Sequence, residues 1–408
     1  MTPSGPGSAD AASAGPFPRL AGKSVLLVSH ELTRTGAPLV LLELGLRLRR
    51  SGARVELVSL RDHPDRSALV RALTPRLVPE TRSLEAAAAA DCVIASTALA
   101  YPWIQRFVAA HPDGARRLVW WIHENDTALY GAGVASLDPA GALVFDSHAS
   151  LGAWRATGLR LSPEARVIHP CVRPALAATA ARDRGPFAAG LVRRALGRLG
   201  VPPPAQGRRE ARAALGVRDG DFLLSMFAPP SVAKGHDLLV RTAGRILRDE
   251  PWRGLKLLMI GFSQRRRARR FLAGLDAWEG RAIHARRALP SVEDLAPFYR
   301  ATDAYVMNSQ GCGETFGLVS IEAMAFGLPV LGTDAGGTPE IVLHERTGLL
   351  HPVGEEGQAV LARHIRRLMD DRALGPALGA AGRERARRHF GDERFCAAWR
   401  GILESIAG

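Results

Sequence analysis

The chain has 408 residues, of which 47% are apolar and 23% are charged. This length predicts two or three domains, and this composition predicts a folded chain and argues against disorder. No apolar stretch reaches the roughly 18 residues that a membrane-spanning helix requires. The net charge of +14 fits an anionic partner, but lysine occurs at only three positions, so the excess of arginine also fits a general coding bias.

The first residues predict a loose tail. Residues 1–19 are rich in Pro, Gly, Ser and Ala, and they lack the basic and apolar regions of a secretion signal. The four cysteines are far apart and show neither metal-binding nor disulfide spacing. We therefore expect a reducing, cytoplasmic setting and no structural zinc site.

Short apolar runs alternate with helical patterns over residues 20–180, which we predict to be the N-terminal domain. The clearest helical pattern is Leu39–Arg50, which has a basic edge. The runs that predict strands are 24–28, 54–60, 91–96, 118–122, 142–145 and 167–168. Strands and helices that alternate at this rhythm predict a parallel sheet with helices on both faces, the Rossmann-like arrangement.

The pattern weakens before the consecutive prolines at 202–204, which cannot continue a helix. We therefore place a linker at 181–207 and a second Rossmann-like domain at 208–390. Its predicted strands are 222–227, 255–260, 304–308 and 329–332. The amphipathic stretch 391–408 predicts a helix that crosses back to the N-terminal domain. The predicted fold class is α/β, with two Rossmann-like domains whose parallel sheets face a central cleft.

Two glutamates flank the amino end of one predicted helix in the second domain. Glu314 lies in the preceding loop and Glu322 lies inside the helix, which gives an E-x7-E spacing. Gly317, Leu318 and Val319 open this helix, so their free amides and the positive end of the helix dipole favour a phosphate group. We predict that the two carboxylates accept hydrogen bonds from sugar hydroxyls on either side of a bound diphosphate.

This segment resembles the signature of the family 4, or group 1, glycosyltransferases, which have the GT-B fold and retain the anomeric configuration of the sugar. The sequences AMAFGLPV, directly after Glu322, and GGTPE, a few residues further on, also match. The resemblance implies that Glu314 contacts the donor sugar and that Glu322 contacts the ribose. It also implies that the backbone from Gly317 to Val319 binds the diphosphate. In this family the second domain, 208–390, would bind the nucleotide sugar, and the first, 20–180, would be on the acceptor side.

A second match lies at Lys234-Gly235, after the predicted strand 222–227. It resembles the KG motif of the same family, whose lysine neutralises the departing diphosphate. Lysine is a compact cation with three hydrogen-bond donors, which suits phosphate oxygens. Many relatives also carry an arginine at the position of Ala228. Either another arginine substitutes for it in this chain, or fewer charges hold the diphosphate.

The N-terminal domain adds further candidates. Gly36 lies in a loop that resembles the family's glycine-containing loop near the donor phosphates and the acceptor. His123 closes a later strand and matches the family's cleft histidine, which contacts the donor sugar; His30 ends the first strand. The resemblance therefore gives three catalytic residues, His123, Lys234 and Glu314, and six donor-binding residues, Gly36, Gly235, Gly317, Leu318, Val319 and Glu322.

The resemblance implies a retaining hexosyl-type glycosyltransferase that moves a sugar from an NDP-sugar to a glycan, glycolipid or small-molecule acceptor, with no cofactor and no metal. Asp219-Gly220-Asp221 has the spelling of a metal-binding DxD motif, but we interpret it as a turn before a strand. Two alternatives stay open. One is another nucleotide-sugar enzyme of this fold, such as an epimerase. The other is an NAD-dependent oxidoreductase, although the spacing at Gly311-x-Gly313 is wrong for it.

The basic charge raises the question of nucleic-acid and membrane partners. No RRM-, KH- or helix-turn-helix-like signature accompanies the charge, so we expect no nucleic-acid partner. Arginines cluster at Arg47, Arg49 and Arg50 and again over residues 265–270. These clusters would suit peripheral contact with anionic lipid at the inner membrane face, although ordinary solvated helix faces explain them equally well.

Overall fold

The computed structural model describes residues 15–33, 35–61, 77–131, 133–138, 140–162, 164–182, 207–229, 231–261, 283–285 and 295–407. The chain divides into two compact units, of which one is Met1–Pro170 with Glu393–Gly408 and the other is Cys171–Asp392. Most of the predicted linker and the second arginine cluster, 265–270, lie outside the described residues.

In its described part, the first unit contains a seven-stranded parallel sheet in the order β3-β2-β1-β4-β5-β6-β7. The strands are β1 (Ser24–Ser29), β2 (Arg54–Ser59), β3 (Leu77–Val78), β4 (Cys92–Ser96), β5 (Leu118–Ile122), β6 (Ala142–Phe145) and β7 (Ala165–Val167). The helices are α1 (Gly36–Arg50), α2 (Ser83–Ala89), α3 (Tyr101–Ala110), α4 (Thr127–Tyr130) and α5 (His148–Ala156). Every residue of β4 and β5 is buried, as expected for strands covered on both faces.

The residues just before β1 are packed and are not part of a loose tail. Phe17 is fully buried, and its amide donates a hydrogen bond of 2.9 Å to the Ser51 hydroxyl at the end of α1. The prediction of a tail through residue 19 is therefore wrong for residues 15–19, because the Phe17 ring anchors them in the core. Residues 1–14 lie outside the described part of the chain.

The second unit contains, among its described residues, a six-stranded parallel sheet in the order β10-β9-β8-β11-β12-β13. The strands are β8 (Phe222–Phe227), β9 (Leu255–Ile260), β10 (Ile283–Ala285), β11 (Ala304–Met307), β12 (Val330–Thr333) and β13 (Gly348–His351). The helices are α6 (Pro174–Arg182), α7 (Arg208–Ala214), α8 (His236–Asp249), α9 (Ala296–Ala301), α10 (Leu318–Ala325), α11 (Thr338–Ile341), α12 (Gly354–Asp370) and α13 (Leu374–His389).

Helix α6 belongs to the second unit, whereas the sequence placed the end of the first domain at residue 180. Leu176 and Ala180 of α6 are buried in the same core as Phe298 of α9 and Ile321 of α10. The boundary therefore lies earlier, after Pro170. The physical reason is that the apolar side chains of α6 find their packing partners on helices of the second sheet.

The last helix, α14 (Asp392–Ile406), places its apolar face in the first unit, to which residues from Glu393 onward belong. The ring centroids of Trp399 and Trp121 lie 4.6 Å apart in an edge-to-face arrangement. Phe395 packs nearby, with its ring 6.3 Å from that of Trp121. Aromatic pairs at these distances add favourable contact beyond the burial of area, so α14 is an integral part of this unit.

Arg47 on α1 is a packing residue and is not available to a membrane surface. Its side chain is 2% exposed, pairs with Glu43 at 3.0 Å, and lies 5.2 Å from the centroid of the Phe395 ring. The predicted basic edge of this helix is therefore reduced to Arg49 and Arg50, which are exposed. Within the described ranges, no helix has the length and apolar character needed to cross a bilayer.

Both sheets have a doubly wound strand order, which confirms the predicted fold class for each unit. The order reverses between β1 and β4 in the first sheet and between β8 and β11 in the second. In open α/β sheets, ligands bind outside the carboxyl ends of the strands at such a switch point. The loops after these four strands are therefore the places to look for functional residues.

Candidate functional site

The switch point of the second sheet brings Lys234 and Glu314 together. The chain after β8 leads to Lys234, and the chain after β11 leads to Glu314. The two residues are 80 positions apart, yet they are in contact because parallel strands end at the same edge of the sheet. The topology thus joins two motifs that the sequence connected only by resemblance.

Lys234 and Glu314 form an ion pair in which Lys234 Nζ donates to Glu314 Oε2. The Ser309 hydroxyl donates to the same oxygen at 3.0 Å. Burial alone would raise the pKa of the Glu314 carboxyl. The charge and hydrogen bond of Lys234, aided by Ser309 and the Thr315 amide, instead hold this pKa below its usual range. Glu314 is therefore a carboxylate at neutral pH, and 20% of its side chain is exposed.

A short 3-10 turn, Val232–Lys234, positions the lysine at the start of α8. The Ser231 hydroxyl accepts the Lys234 amide at 3.2 Å. Gly235 follows with φ of +68°, in the left-handed region that favours glycine. A Cβ at Gly235 would lie 2.2 Å from the Asn308 carbonyl oxygen. Glycine is therefore required at this position both for the backbone path and for the close approach of the two loops.

Asn308 ties the lysine turn to the loop after β11. Its side-chain amide donates to the Gly235 carbonyl at 2.8 Å, and its side-chain oxygen lies 3.0 Å from His351 Nε2. Because the Asn308 oxygen is an acceptor, the His351 proton is on Nε2. Burial lowers the pKa of His351 to about 3, so this imidazole is neutral. The network fixes the orientation of Asn308 and, through it, the position of the turn.

Helix α10 begins beside Glu314. Gly317 precedes the helix with φ of +102°, and a Cβ there would lie 3.3 Å from Glu314 Cγ. The first-turn amides of Leu318 and Val319 cannot bond within the helix, and the helix dipole adds partial positive charge around them. The Gly337 amide donates to the Glu314 carbonyl at 2.7 Å, which fixes the loop. This arrangement suits an anionic group such as a phosphate.

The second glutamate of the E-x7-E pair has partners that the sequence did not predict. Glu322 is 1% exposed, and Arg173 contacts both of its oxygens, with Nε–Oε1 at 2.5 Å and Nη2–Oε2 at 3.2 Å. The Tyr299 hydroxyl donates to Oε2 at 3.0 Å. Burial, followed by the Glu322 charge, raises the pKa of Tyr299 well above its usual value. Three of about four acceptor positions on the carboxylate are thus occupied, so room for a ribose hydroxyl is narrow.

In the first unit, His123 follows β5 and Asp146 follows β6, which are neighbouring strands. His123 Nδ1 lies 2.7 Å from Asp146 Oδ2, and the Trp121 indole donates to Asp146 Oδ1 at 2.7 Å. Among the described residues, His123 Nε2 is buried and has no hydrogen-bond partner. The imidazole is therefore held on one side and has an unused nitrogen on the other.

His30 and Gly36 follow β1 at the same sheet edge. Burial lowers the pKa of His30, and the charges of His123 and Arg61 lower it further while Glu31 opposes them. His30 and His123 are therefore electrostatic neighbours, as expected for residues after β1 and β5. Gly36 is the exposed first residue of α1, and its role in donor binding stays a prediction.

Two features weighed in the sequence lie near β8. Asp219-Gly220-Asp221 precedes this strand, where Asp221 Oδ2 accepts the Arg218 amide at 3.0 Å. The interpretation of this motif as a turn is confirmed, and the turn lies at the opposite end of β8 from Lys234. Ala228 directly follows β8, and its methyl side chain supplies no charge at this end of the strand.

Sequence reasoning missed several polar partners in these clusters, among them Arg173, Tyr299, Ser309 and Asp146. Asp146 carried a usable signal, because it ends one strand as His123 ends the neighbouring strand. Ser309 likewise follows β11. Arg173 and Tyr299 carried no such signal, since they lie 149 and 23 residues from Glu322 in sequence.

Solved structures of similar fold cover nearly the whole chain. HepE of Anabaena, in complex with UDP-glucose, has a TM-score of 0.69 and 19% identity over 94% of this chain and 98% of that chain. Sucrose-phosphate synthase of Thermosynechococcus elongatus has a TM-score of 0.70 and 20% identity over 94% and 99%. WaaG, a glycosyltransferase involved in lipopolysaccharide biosynthesis, has a TM-score of 0.63 and 15% identity over 93% and 99%. At these identities the likeness shows the fold, and it places the chain in the GT-B class.

The family comparison identifies the group within this class. Residues 21–184 match the family described as "Glycosyl-transferase family 4", and residues 222–371 match the family described as "Glycosyl transferases group 1". The chain therefore belongs to the family 4, or group 1, glycosyltransferases. The two matches fall on the first and the second unit, apart from a short overlap of the first match into α6.

Curated relatives match a smaller part of the chain. A D-inositol 3-phosphate glycosyltransferase of Streptomyces bingchenggensis is 33% identical over 204 residues, which are 48% of this chain and 43% of the relative. One of Nocardia farcinica is 36% identical over 160 residues, which are 37% and 35%. The chain thus matches less than half the length of these relatives, so they support the family without establishing the substrates.

Proposed function

We propose that the chain transfers a sugar from an NDP-sugar to a hydroxyl of an acceptor, with retention of configuration and without a metal ion. The observation that carries this proposal is the contact of Lys234 with Glu314 beside the amino end of α10. This cluster combines a cation and a helix end, which favour a diphosphate, with a carboxylate that can accept hydrogen bonds from sugar hydroxyls.

In the proposed reaction, the acceptor oxygen bonds to C1 of the donor sugar while the bond from C1 to the diphosphate oxygen breaks. The acceptor proton passes to the leaving phosphate. Lys234 and the amides of Leu318 and Val319 stabilise the charge that develops on the diphosphate. One such donor contributes about 2.7–4 kcal/mol in a comparable oxyanion site. Glu314 and His123 orient the sugar by hydrogen bonds to its hydroxyls.

The donor we favour first is a UDP-sugar. HepE, which shares the fold, was solved with UDP-glucose. In any such donor a ribose hydroxyl could reach only the one acceptor position of Glu322 that Arg173 and Tyr299 leave open. Gly36 and Gly235 would let the backbone approach the phosphates closely. GDP-, TDP- and ADP-sugars remain competitors, because the residues named in this proposal would bind the sugar and the phosphates, and none of them is assigned to the base.

The acceptor is a glycan, a lipid-linked acceptor or a small molecule. Inositol 3-phosphate is the first small molecule to test, because the curated relatives carry it in their names. A phosphorylated polyol would also be compatible with the high net positive charge of the chain.

A thermal-shift plate with UDP-, GDP-, TDP- and ADP-sugars tests the proposal directly. A ligand at 100 times its Kd adds about 2.7 kcal/mol of stability. The matched control is Glu345→Gln, which removes a surface carboxylate paired with Arg367 and should leave the shift unchanged. Lys234→Met should abolish most of the shift. No shift with any nucleotide sugar would overturn the proposal.

Turnover distinguishes the remaining functions. With the stabilising donor and a set of acceptors, we expect release of the nucleoside diphosphate and a product with the donor's anomeric configuration, read by NMR. A free epimer formed without acceptor would instead favour an epimerase. Turnover that depends on NAD(H) would favour an oxidoreductase.

Peripheral contact with an anionic membrane is a separate proposal. In the described part of the chain it rests on Arg49 and Arg50 at the end of α1, which are exposed. Vesicles with and without anionic lipid, at low and at high salt, test it. Failure to bind anionic vesicles at low salt would remove it.

A further inference from the structure

Asp146 receives two nitrogen partners, and each faces a different oxygen. The Trp121 indole donates to Oδ1 at 2.7 Å, and His123 Nδ1 lies 2.7 Å from Oδ2. Asp146 is 6% exposed and His123 is 9% exposed, so water does not take the place of these contacts. A buried carboxylate is costly unless it is hydrogen-bonded, so the contacts with Trp121 and His123 are what stabilises Asp146 in this position.

The His123 ring is also held by packing. Its centroid lies 4.6 Å from that of Trp121, and Trp121 itself packs edge-to-face on Trp399 of α14. The ring therefore cannot turn to exchange its nitrogens without breaking the contact with Asp146. In the described part of the chain, Nε2 of this fixed ring is a buried polar atom with no partner. Buried polar atoms are rarely left unpaired in folded proteins, which points to a ligand at this nitrogen.

We propose that Asp146 is a positioning residue that, in the uncharged form of the His123 ring, keeps the single ring proton on Nδ1. Nε2 then carries the lone pair, and it accepts a hydrogen bond from a hydroxyl of the sugar that is transferred. The inference rests on the proposed function, and it adds to that function the residue that sets which ring nitrogen is the acceptor. The group that Nε2 recognises is a hydroxyl of the sugar, which donates a hydrogen bond to the lone pair. A negatively charged group has no proton to donate, and the lone pair would repel it.

Trp121 gives the proposal a sharp consequence. In Asp146→Asn the side chain has only one oxygen, and the indole N–H, which can only donate, needs it. The amide nitrogen must then face His123 Nδ1, where its protons require a lone pair. The histidine proton therefore moves to Nε2, and the acceptor at this position becomes a donor. The variant has nearly the same shape as the wild type and the opposite hydrogen-bonding pattern at Nε2.

Nitrogen-15 NMR of the imidazole tests the proposal in the wild-type protein. Spectra are recorded at pH 8, above the ordinary pKa of histidine of about 6.5. The expected result is a protonated Nδ1 and an unprotonated Nε2 for His123. A wild-type ring protonated on Nε2 would overturn the proposal, and this measurement needs neither a substrate nor a variant.

The same spectra of two variants test the cause. Asp146→Asn should move the proton to Nε2. Adding Trp121→Phe removes the donor that fixes the amide, so the Asn oxygen can turn to His123 and the proton should return to Nδ1. If the His123 proton stays on Nδ1 in Asp146→Asn, the role of Asp146 is overturned. A pattern that stays reversed in the double variant would overturn the role of Trp121.

Kinetics test whether this orientation is used. Asp146→Asn should lower kcat/KM roughly 10- to 100-fold, the cost of one unmade hydrogen bond to a buried group. In a His123→Ala background the same change should have little further effect, because a positioning residue acts only through its partner. The matched control is Asp138→Asn, which removes a carboxylate paired with Arg160 on the surface of the same unit. If Asp146→Asn lowers kcat/KM by the same factor in the wild type and in His123→Ala, Asp146 does not act through His123 and its role is merely structural.

The two proposals fail in different ways. If no nucleotide sugar stabilises the wild type, the proposed function fails, whatever the NMR result. If nucleotide sugars bind and turn over normally in Asp146→Asn, the proposed function stands and the positioning role is wrong.

Discussion

Replacing Lys234 with methionine perturbs the Lys234–Glu314 pair with little change in shape. The variant keeps an unbranched side chain at the end of the 3-10 turn and removes the ammonium group. Glu314 then remains as a carboxylate whose other described donors are the Ser309 hydroxyl and the Thr315 amide. We expect a loss of stability that depends on pH and a loss of turnover.

The size of the stability loss follows from the exposure of the pair. The Lys234 and Glu314 side chains are 29% and 20% exposed. An exposed pair contributes about 0–1 kcal/mol, whereas loss of one partner of a fully buried pair costs about 3–5 kcal/mol. The pair lies between these limits, so we expect the free energy of unfolding to fall by roughly 1–3 kcal/mol at pH 8.

The pH dependence has a definite sign. In the wild type the pKa of Glu314 is lower in the folded state than in the unfolded state, where it is about 4.3. The ionised Glu314 therefore stabilises the fold above about pH 4.3, and this contribution is lost as the pH falls through the folded-state pKa. In Lys234→Met, burial is no longer opposed by the ammonium, so the pKa of Glu314 rises. The uncompensated carboxylate destabilises the variant at pH 8, and protonation relieves it at lower pH. The deficit should therefore shrink between pH 8 and pH 5.

Urea unfolding at both pH values measures the deficit, and the double variant Lys234→Met/Glu314→Gln provides the matched control. This double variant has no stranded charge, so it should recover most of the stability at pH 8 and lose the pH dependence. Turnover of Lys234→Met should fall by about 10²- to 10³-fold. A single variant as stable as the wild type at pH 8 would refute the reasoning about the pair, and near-normal turnover would remove Lys234 from catalysis.

Three further predictions concern other parts of the second unit and its chemistry. Arg173→Met should cost about 3–5 kcal/mol, because Glu322 is 1% exposed and would be left with an unpaired charge; urea unfolding checks this, and adding Glu322→Gln should recover part of the loss. Gly235→Ala should be clearly more destabilising than Gly158→Ala, because both have positive φ but only Gly235 would place a Cβ 2.2 Å from the Asn308 carbonyl; equal costs in thermal unfolding would contradict this. Turnover should be unchanged by EDTA, and strict dependence on added Mg²⁺ or Mn²⁺ would contradict the metal-independent mechanism.

The fold was predictable because its strands are continuous apolar runs separated by amphipathic helices. The five-residue strand β5, with sequence LVWWI, is recognisable as an unbroken run of apolar residues, and every residue of it is buried. The unit boundary was less predictable, because α6 carries alanines and one buried leucine that give little indication of which sheet it packs on. The burial of Phe17 was missed because one aromatic ring in a Pro- and Gly-rich stretch has no periodic pattern around it.

The candidate site was predictable where its residues share a local motif. Glu314, Gly317 and Glu322 lie within nine residues of one another, so their spacing on a loop and a helix is visible in the sequence. Arg173 and Tyr299 reach Glu322 only through the packing of α6 and α9 against α10, and no local pattern encodes that packing. For this reason the sequence predicted a ribose contact at Glu322 without the hydrogen bonds from Arg173 and Tyr299 that the structure adds; the ribose contact stays a prediction.

The Lys234 ammonium has three protons, and the contact with Glu314 uses one of them. Within the described ranges the other two protons have no protein acceptor, so Lys234 can donate to diphosphate oxygens without releasing Glu314. The ion pair would then fix the position of the sugar relative to the diphosphate, because the Glu314 carboxylate faces the sugar and the Lys234 ammonium faces the diphosphate. It follows that the turnover losses of Lys234→Met and Glu314→Gln should not multiply. Each change removes the same alignment, so the double variant should lose little more than the worse single variant, and fully multiplicative losses would show that the two residues act independently.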